Sequence, residues 1–144
     1  MWIKPKVLEM SYTYPPLRRI TFSGDYMGQS GDAREVIISY INALDAQDFD
    51  SARKRLGDNV LIKGPAGEAF RSPDEFINMM RNQRGKYNIK KMFVDGDDVC
   101  LLYDFITKNV SVFFSSWYKV ENGKIVSIQT VFDPRPFAAM QEKK

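Results

Sequence analysis

Histidine is missing from this 144-residue sequence, and cysteine occurs only once, at Cys100. Histidine is the usual general base near neutral pH, so its absence excludes Ser-His and Cys-His nucleophile systems and most transition-metal sites. A single cysteine excludes an internal disulfide and a multi-cysteine zinc site. We therefore expect no metal and no cofactor, and an enzyme with this sequence would have to use carboxylates, tyrosines, lysines or arginines.

Long hydrophobic runs are missing too. No stretch approaches the roughly 20 apolar residues that span a bilayer, and Glu9 with three prolines interrupts any signal-peptide core in the opening MWIKPKVLEMSYTYPP. The net charge of +3 is small, and most basic residues have acidic neighbours, which argues against nucleic-acid binding. These features predict a cytoplasmic protein with neither a membrane nor a nucleic-acid partner.

Aromatic residues, by contrast, are abundant: the chain has ten Phe and seven Tyr, and 44% of its residues are hydrophobic. This composition is typical of one globular domain with a sizeable core. Residues 1–28 show no steady period and contain three of the seven prolines, so they are predicted to form an N-terminal arm or an edge strand (RRITF, 18–22). Residues 29–144 are predicted to form the domain itself.

Three helices are predicted in the first half of that domain. Apolar residues recur at helical spacing over 33–44, directly after Asp32, which can cap the helix. Asp48 can cap a short second helix. The SPDEF segment at 72–76 combines a capping serine, a proline suited to the first helical position, and the glutamate of a capping box.

The second half is rich in strands, predicted at about 87–94, 98–107, 110–120 and 125–132, after a shorter strand near 60. Asn122-Gly123 is typical of a type I′ hairpin turn, because both residue types accept positive φ. Counting back from this turn places Tyr118 opposite Ser127 and Ser116 opposite Gln129, with Phe113, Trp117 and Ile128 on the other face. Helices followed by a long antiparallel sheet indicate an α+β fold.

This order of elements resembles the nuclear-transport-factor-2-like superfamily, in its SnoaL-like and ketosteroid-isomerase-like branch. The segments YINALDAQDFDSARKRLGDNVLIKGPAGEAFRSPDEF and SSWYKVENGKIVSIQTVFDP carry the resemblance, which extends over about residues 30–135. It implies a cone-shaped α+β barrel, in which a curved antiparallel sheet wraps around the helices, encloses a mostly apolar cavity and commonly forms a homodimer.

The resemblance also suggests site residues. Ketosteroid isomerases use a tyrosine and a protonated carboxylic acid to hold an oxygen, and a second carboxylate to move the proton. The match places Tyr40 at the tyrosine position, where a core tyrosine is the alternative. The proton-moving carboxylate falls on Gly64 and is therefore missing, and the acid donor falls near Ser116.

Other members of the superfamily offer further comparisons. Polyketide cyclases and scytalone-type dehydratases need histidine, and epoxide hydrolases of this fold hold an arginine between two aspartates. Asp104 can match one of those aspartates, but Leu102 and Thr130 stand at the other two positions. Asp104 is predicted either to act as an acid-base group with a raised pKa in the apolar cavity, or to pair with a lysine at the sheet surface.

The same match directs one face of the hairpin inward, which makes Ser116, Tyr118 and Gln129 candidate ligand-binding residues. Lys63, beside the missing base, can form a salt bridge, touch an acidic ligand or be solvated.

Three functions remain open from the sequence. The first is a non-enzymatic module that binds a small, largely apolar or polycyclic molecule. The second is an isomerase, hydrolase or cyclase-type enzyme that acts on a polycyclic or isoprenoid-like substrate through Asp104 and Tyr40. The third is a dimerisation or adaptor domain that uses the outer face of the sheet.

Overall fold

The computed structural model describes residues 32–142 except 68 and 109, so the predicted arm at 1–28 lies outside the described residues. Its helices are α1 (Ala33–Asp45), α2 (Phe49–Lys54), α3 (Pro73–Gln83) and α4 (Arg135–Glu142). Its strands are β1 (Leu56–Lys63), β2 (Lys86–Asp95), β3 (Asp98–Thr107), β4 (Val110–Glu121) and β5 (Lys124–Phe132). None of the described helices is both long and apolar enough to cross a membrane.

The first three helices begin at the capping residues that the sequence predicts. Asp32 accepts a hydrogen bond from the backbone N–H of Arg34, and Asp48 accepts one from Ser51. In α3 the Ser72 hydroxyl accepts from the N–H of Glu75, but the Glu75 carboxylate accepts from Arg71 rather than from Ser72. Each cap satisfies a backbone donor that the helix itself leaves free.

The five strands form one sheet in the order β1-β5-β4-β3-β2. All neighbours pair in the antiparallel sense except β1 and β5, which run parallel. Register shifts interrupt three of the four pairings, and such bulges bend strands. The predicted α+β class with a curved sheet is confirmed; the sheet is open, with β1 and β2 as its edges.

The hairpin between β4 and β5 corrects the predicted register. Asn122 and Gly123 both have positive φ, as the predicted type I′ turn requires. A bulge between Lys119 and Val120 then shifts the pairing by one residue, so that Tyr118 faces Ile128 and Ser116 faces Thr130. Because strand side chains alternate between faces, this shift reverses the face of every β5 residue beyond the bulge.

The core lies between α1 and the inner face of the sheet. One side of α1 is fully buried, including Ile37, Tyr40 and Ile41. It packs against inward-facing residues such as Leu101 and Ile125, each completely buried. Burying an aliphatic side chain of this size contributes about 1.5–3 kcal/mol, so this layer supplies much of the fold's stability.

Candidate functional site

A cavity of about 260 Å³ lies between the inner face of the sheet and helices α1, α3 and α4. Most of its lining is apolar. Phenylalanine rings form one part of the lining, and hydroxyl groups on three adjacent strands form another. We call these two parts the aromatic end and the hydroxyl floor.

The aromatic end is built by phenylalanines from five different parts of the chain. Phe114 and Phe132 stack face to face with ring centroids 4.1 Å apart, and Phe137 from α4 meets both rings edge-on. Phe70 and Phe76 pack edge-on against each other at 5.1 Å on the side of α3. Helix α4 is not predicted from the sequence, and it contributes Phe137 to this wall.

The hydroxyl floor is a chain of hydrogen-bonded side chains on three adjacent strands. The Ser116 hydroxyl in β4 lies 2.8 Å from the Tyr103 hydroxyl in β3 and 2.8 Å from the Thr130 hydroxyl in β5. The hydroxyl of Tyr118 interacts with both Ser116 and Tyr103. This arrangement follows from the register, because Ser116 lies directly between Leu101 and Thr130 on the inner face.

Tyr40 reaches the same region from α1, and its ring meets Tyr118 edge-on at 6.2 Å. Every completely buried side-chain oxygen or nitrogen among the described residues has a hydrogen-bond partner. The Tyr40 hydroxyl makes no hydrogen bond within this part of the chain, and Tyr40 lines the cavity. Although Tyr40 as a whole is only 1% exposed, its hydroxyl therefore keeps a small accessible area, and we infer that it faces the cavity as a free donor.

Burial keeps the tyrosines of this region neutral. Desolvation raises the pKa of Tyr40, Tyr87, Tyr103 and Tyr118 above the ordinary value of a phenol, and the proximity of the four phenols to one another raises it further for three of them. In Tyr103 the hydrogen bonds to Ser116 and Tyr118 partly oppose this effect. The floor therefore offers neutral hydroxyl donors rather than bases.

The described lining contains no carboxylate, and Lys63 is its only charged residue. Gly64, the position of the missing base, also lines the cavity. Lys63 is exposed at the end of β1, where it pairs with Gln129. Nowhere among residues 32–142, apart from the two undescribed positions, do three or more potential metal-ligating side chains come together.

Asp104 does not reach the cavity. It shares a face of β3 with Leu102 and Ile106, as predicted, but this is the outer face, because Tyr103 and Phe105 are the buried residues that line the cavity. Its carboxylate lies 3.2 Å from the ammonium of Lys90. Asp104 and Tyr40 therefore lie on opposite sides of the sheet and cannot act together on one substrate atom.

Gln129 is also misplaced by the sequence reasoning. The bulge in the hairpin puts Gln129 opposite Trp117 on the outer face, where it is exposed. The same shift turns Ile128 inward, where it is buried and lines the cavity. Of the six predicted site residues, the cavity thus brings together Tyr40, Lys63, Ser116 and Tyr118.

Sequence reasoning missed Tyr87, Tyr103 and Thr130 as parts of the site. A signal for Tyr103 is present in β3, where Val99, Leu101, Tyr103 and Phe105 form an unbroken apolar row. The alternate row carries Asp98 and Asp104, which marks it as the outer face. Thr130 gives no comparable signal, because its face depends on the bulge.

Comparison with known proteins supports one family. The family model of the SnoaL-like domain matches residues 37–128. An NTF2-like protein of unknown function from Cytophaga hutchinsonii is 34% identical, with a TM-score of 0.71 over 78% of this chain and 99% of that chain. A search among curated proteins found no match.

More distant structures share the fold. An LEH-like epoxide hydrolase from M. tuberculosis is 20% identical, with a TM-score of 0.61 over 78% of this chain and 96% of that chain. A cystatin-fold protein from Novosphingobium aromaticivorans is 15% identical, with a TM-score of 0.62 over 67% of this chain and 95% of that chain. The chain thus belongs to the SnoaL-like family, within the nuclear-transport-factor-2-like superfamily.

Proposed function

We propose that this protein binds a small, neutral and largely apolar molecule in its cavity and does not catalyse proton transfer there. The observation that carries the proposal is the combination of an apolar cavity with a floor of neutral hydroxyl donors and no lining carboxylate among the described residues. Pockets for small ligands are typically apolar with a few well-placed polar groups.

The volume of the cavity restricts the size of the ligand. The volume is about 260 Å³. Sites for drug-sized ligands are usually about 300–1,000 Å³. A molecule with one or two rings therefore suits this cavity better than the polycyclic ligand that was the alternative from the sequence.

The two ends of the cavity suggest an orientation. Aromatic rings at one end favour stacking and edge-on contacts with a ring of the ligand. The hydroxyls of Tyr40 and the Ser116 chain favour an acceptor oxygen at the other end. A net hydrogen bond contributes about 0.5–1.5 kcal/mol, which corresponds to an approximately two- to twelve-fold gain in affinity.

Two bicyclic probes of the same shape test this proposal, the ketone 1-tetralone and the hydrocarbon tetralin. Isothermal calorimetry or NMR titration should show 1-tetralone binding with a Kd below about 1 mM, which is roughly −4 kcal/mol, and tetralin binding several-fold more weakly. If neither probe binds, the proposal fails. If both bind equally well, the cavity holds ligands but its hydroxyls do not orient them.

A pair of variants shows whether the probes occupy this cavity. Met79→Trp places a large ring inside the cavity from the lining side of α3 and should abolish binding. Asn78→Trp places the same ring at the neighbouring exposed position and should leave the Kd unchanged. Binding that survives Met79→Trp would locate the probe elsewhere.

The outer face of the sheet favours a second function, the assembly of two copies of this chain. Phe113, Trp117 and Val131 are each more than half exposed there, and the indole N–H of Trp117 is held by a 2.9 Å hydrogen bond to Asp98. Large exposed apolar patches commonly mark interaction sites. We propose that this face joins two copies of the chain.

Sedimentation tests this second proposal directly. The wild-type chain should sediment as a dimer at micromolar concentration, and Trp117→Lys should sediment as a monomer. Ile89→Lys, an exposed apolar position on a different strand, serves as the control. A wild-type chain that remains monomeric at high concentration contradicts the assembly role without affecting the cavity proposal.

A further inference from the structure

Helix α4 lies between the cavity and a groove on the outer side of the sheet. Phe137 lines the cavity, whereas Pro136, the residue before it, lines the groove. The groove is an open depression of about 650 Å³ beside the start of β4 and the end of β5. Phe132, the last residue of β5, lines both spaces. Phe132 and the first turn of α4 therefore separate the cavity from the groove.

Phe137 attaches α4 to the sheet. Its ring meets the rings of Phe132 and Phe114 edge-on, with centroids 5.7 Å and 6.2 Å apart. Arg135 forms its hydrogen bonds and its ion pair with Asp133, two residues before it. Within the part of the chain that the structure describes, no hydrogen bond or ion pair joins α4 to another helix or strand.

Helix α4 is too short to be stable without this attachment. It has eight residues, and isolated helices shorter than about 12–15 residues are marginal in water. Ala138 and Ala139 are exposed, so they add little buried surface. Segments with few buried contacts open locally, at a lower free energy than the unfolding of the whole domain. The packing of Phe137 therefore decides whether α4 stays closed.

We propose that α4 is a gate through which a ligand enters and leaves the cavity. In the closed state, Phe137 completes the aromatic end. In the open state, Phe137 moves away from Phe114 and Phe132, and the cavity joins the outer groove. This inference rests on the proposed function for the ligand that passes, although the opening of α4 is measurable without any ligand.

The cavity lining at β1 is held more firmly than the lining at α4. Lys63 and Gly64 line the cavity at the end of β1. The N–H of Phe70 donates to the carbonyl of Ile62, and Lys63 pairs with Ala69. Widening the cavity there breaks backbone hydrogen bonds, whereas opening α4 breaks ring contacts and no hydrogen bond to another described element. The smaller cost of the second movement favours α4 as the gate.

Hydrogen exchange in the full chain shows whether α4 opens independently. Without ligand, the backbone amides of residues 139–142 should exchange at least about 100-fold faster than the amide of Tyr40, each relative to its rate in an unfolded peptide. Phe137→Ala should accelerate residues 139–142 by a further factor of about ten, because the ring contacts are lost. Helix propensity cannot explain this change, since alanine is the better helix former.

Two results of this measurement would overturn the proposal. If residues 139–142 exchange as slowly as Tyr40, α4 opens only when the whole domain unfolds. If these residues exchange in the wild type as fast as in an unfolded peptide, α4 does not close the cavity at all.

Thiol labelling shows whether the opening admits a small molecule. In a Cys100→Ser background, Ser116→Cys places a thiol on the hydroxyl floor, at a position that is 1% exposed and lines the cavity. Adding Phe137→Ala should increase the rate of labelling by methyl methanethiosulfonate about ten-fold or more. Adding Phe76→Ala, which removes a lining ring from α3 instead, should change the rate much less.

A matched control moves the ring by one position. Phe137→Ala/Ala138→Phe keeps the composition of the wild type but carries the ring at an exposed position, so it should be labelled as fast as Phe137→Ala. If Ser116→Cys does not fold, Thr130→Cys, at a half-buried position of the same floor, takes its place. Labelling that Phe137→Ala does not accelerate, or that Phe76→Ala accelerates equally, overturns the proposal.

Binding kinetics separate the gate from the proposed function. If 1-tetralone binds, NMR line-shape analysis should give an association rate several-fold higher in Phe137→Ala than in the wild type. A lost contact between the ring and the ligand would raise only the dissociation rate, so an unchanged association rate overturns the gate and leaves the cavity proposal intact. If 1-tetralone does not bind but labelling depends on Phe137, the proposed function fails and the gate is supported.

Discussion

The hydroxyls of Tyr103 and Ser116 meet at 2.8 Å inside the cone, and Ser116 is in turn 2.8 Å from the Thr130 hydroxyl. A serine thus links three strands at the position where the resemblance places the acid donor of an isomerase. A buried polar group stabilises a fold only when its partners are present. The stability of the floor therefore depends on the serine between its two neighbours.

Replacing Ser116 by alanine should destabilise the protein by about 1–3 kcal/mol, because the Thr130 hydroxyl loses its partner and the Tyr103 and Tyr118 hydroxyls each lose one of theirs. Urea denaturation measures this change in the free energy of unfolding. Ser115→Ala, one residue away on the outer face, should change it by less than about 0.5 kcal/mol.

A compensating variant checks the cause of that loss. Ser116→Ala combined with Tyr103→Phe, Tyr118→Phe and Thr130→Val removes all four hydroxyls of the floor, and it should be more stable than Ser116→Ala alone. A quadruple variant that is less stable than Ser116→Ala would show that packing, and not hydrogen bonding, sets the cost.

The buried tyrosines predict a loss of stability in alkali. Burial raises the pKa of Tyr40, Tyr87, Tyr103 and Tyr118 in the folded protein, whereas in the unfolded chain each phenol titrates near 10. The four neutral tyrosines contribute fully to the free energy of unfolding below about pH 10. This contribution decreases as the pH rises toward their pKa values in the folded protein. Each tyrosine then lowers the unfolding free energy by up to about 1.4 kcal/mol per pH unit.

Urea midpoints measured between pH 8 and pH 11.5 test this linkage. The Tyr40→Phe variant should lose less stability than the wild type over the same interval, because one titrating group has been removed. The exposed Trp117→Phe variant controls for changes in ring chemistry. A Tyr40→Phe variant with the same alkaline slope as the wild type would mean that Tyr40 is accessible to solvent.

Gly85 should not tolerate a side chain. A Cβ atom at this position would lie 2.1–2.6 Å from the ring of Phe105, which is buried among Tyr87 and Phe114 and cannot move aside freely. Overpacking of this kind costs about 1–3 kcal/mol. At Gly57 the nearest atom is 3.4 Å away, so in thermal unfolding Gly57→Ala should lower the midpoint temperature much less than Gly85→Ala does.

The sequence predicts the fold in most of its elements because local signals there agree with the tertiary structure. The caps at Asp32, Asp48 and Ser72 and the turn at Asn122 all depend on interactions within four residues of the chain. Helix α4 was missed although a comparable signal precedes it, because the Asp133 carboxylate accepts a hydrogen bond from the N–H of Arg135 just as Asp32 accepts one from Arg34. Its position depends on the packing of Phe137 against Phe132 and Phe114.

The site was less predictable because its residues are selected by strand alternation, which one bulge reverses. The bulge at Lys119 places Thr130, and not Gln129, beside Ser116. In β3, which has no register shift against β4, the error was the choice of face. Asp104 was directed inward because a carboxylate suggests chemistry, although the apolar row containing Tyr103 is the better indicator of the buried side.

If the missing carboxylate at Gly64 is what prevents proton transfer, restoring it should create that activity. Gly64→Asp places a carboxylate on the cavity lining, where apolar surroundings raise its pKa and strengthen it as a base. With cyclohex-3-enone, whose oxygen can accept from Tyr40, the carboxylate would move a proton from C2 to C4 and form cyclohex-2-enone. A positioned base typically contributes about 10²–10⁴-fold, so the ultraviolet absorbance of the conjugated product should appear at least about 100-fold faster than with Gly64→Asn, which has the same shape and no base.

The rate should rise with pH as the new carboxylate ionises, and adding Tyr40→Phe should lower it. Equal rates for Gly64→Asp and Gly64→Asn would show that this position does not face the bound ketone, and the comparison with the isomerase site would then be wrong.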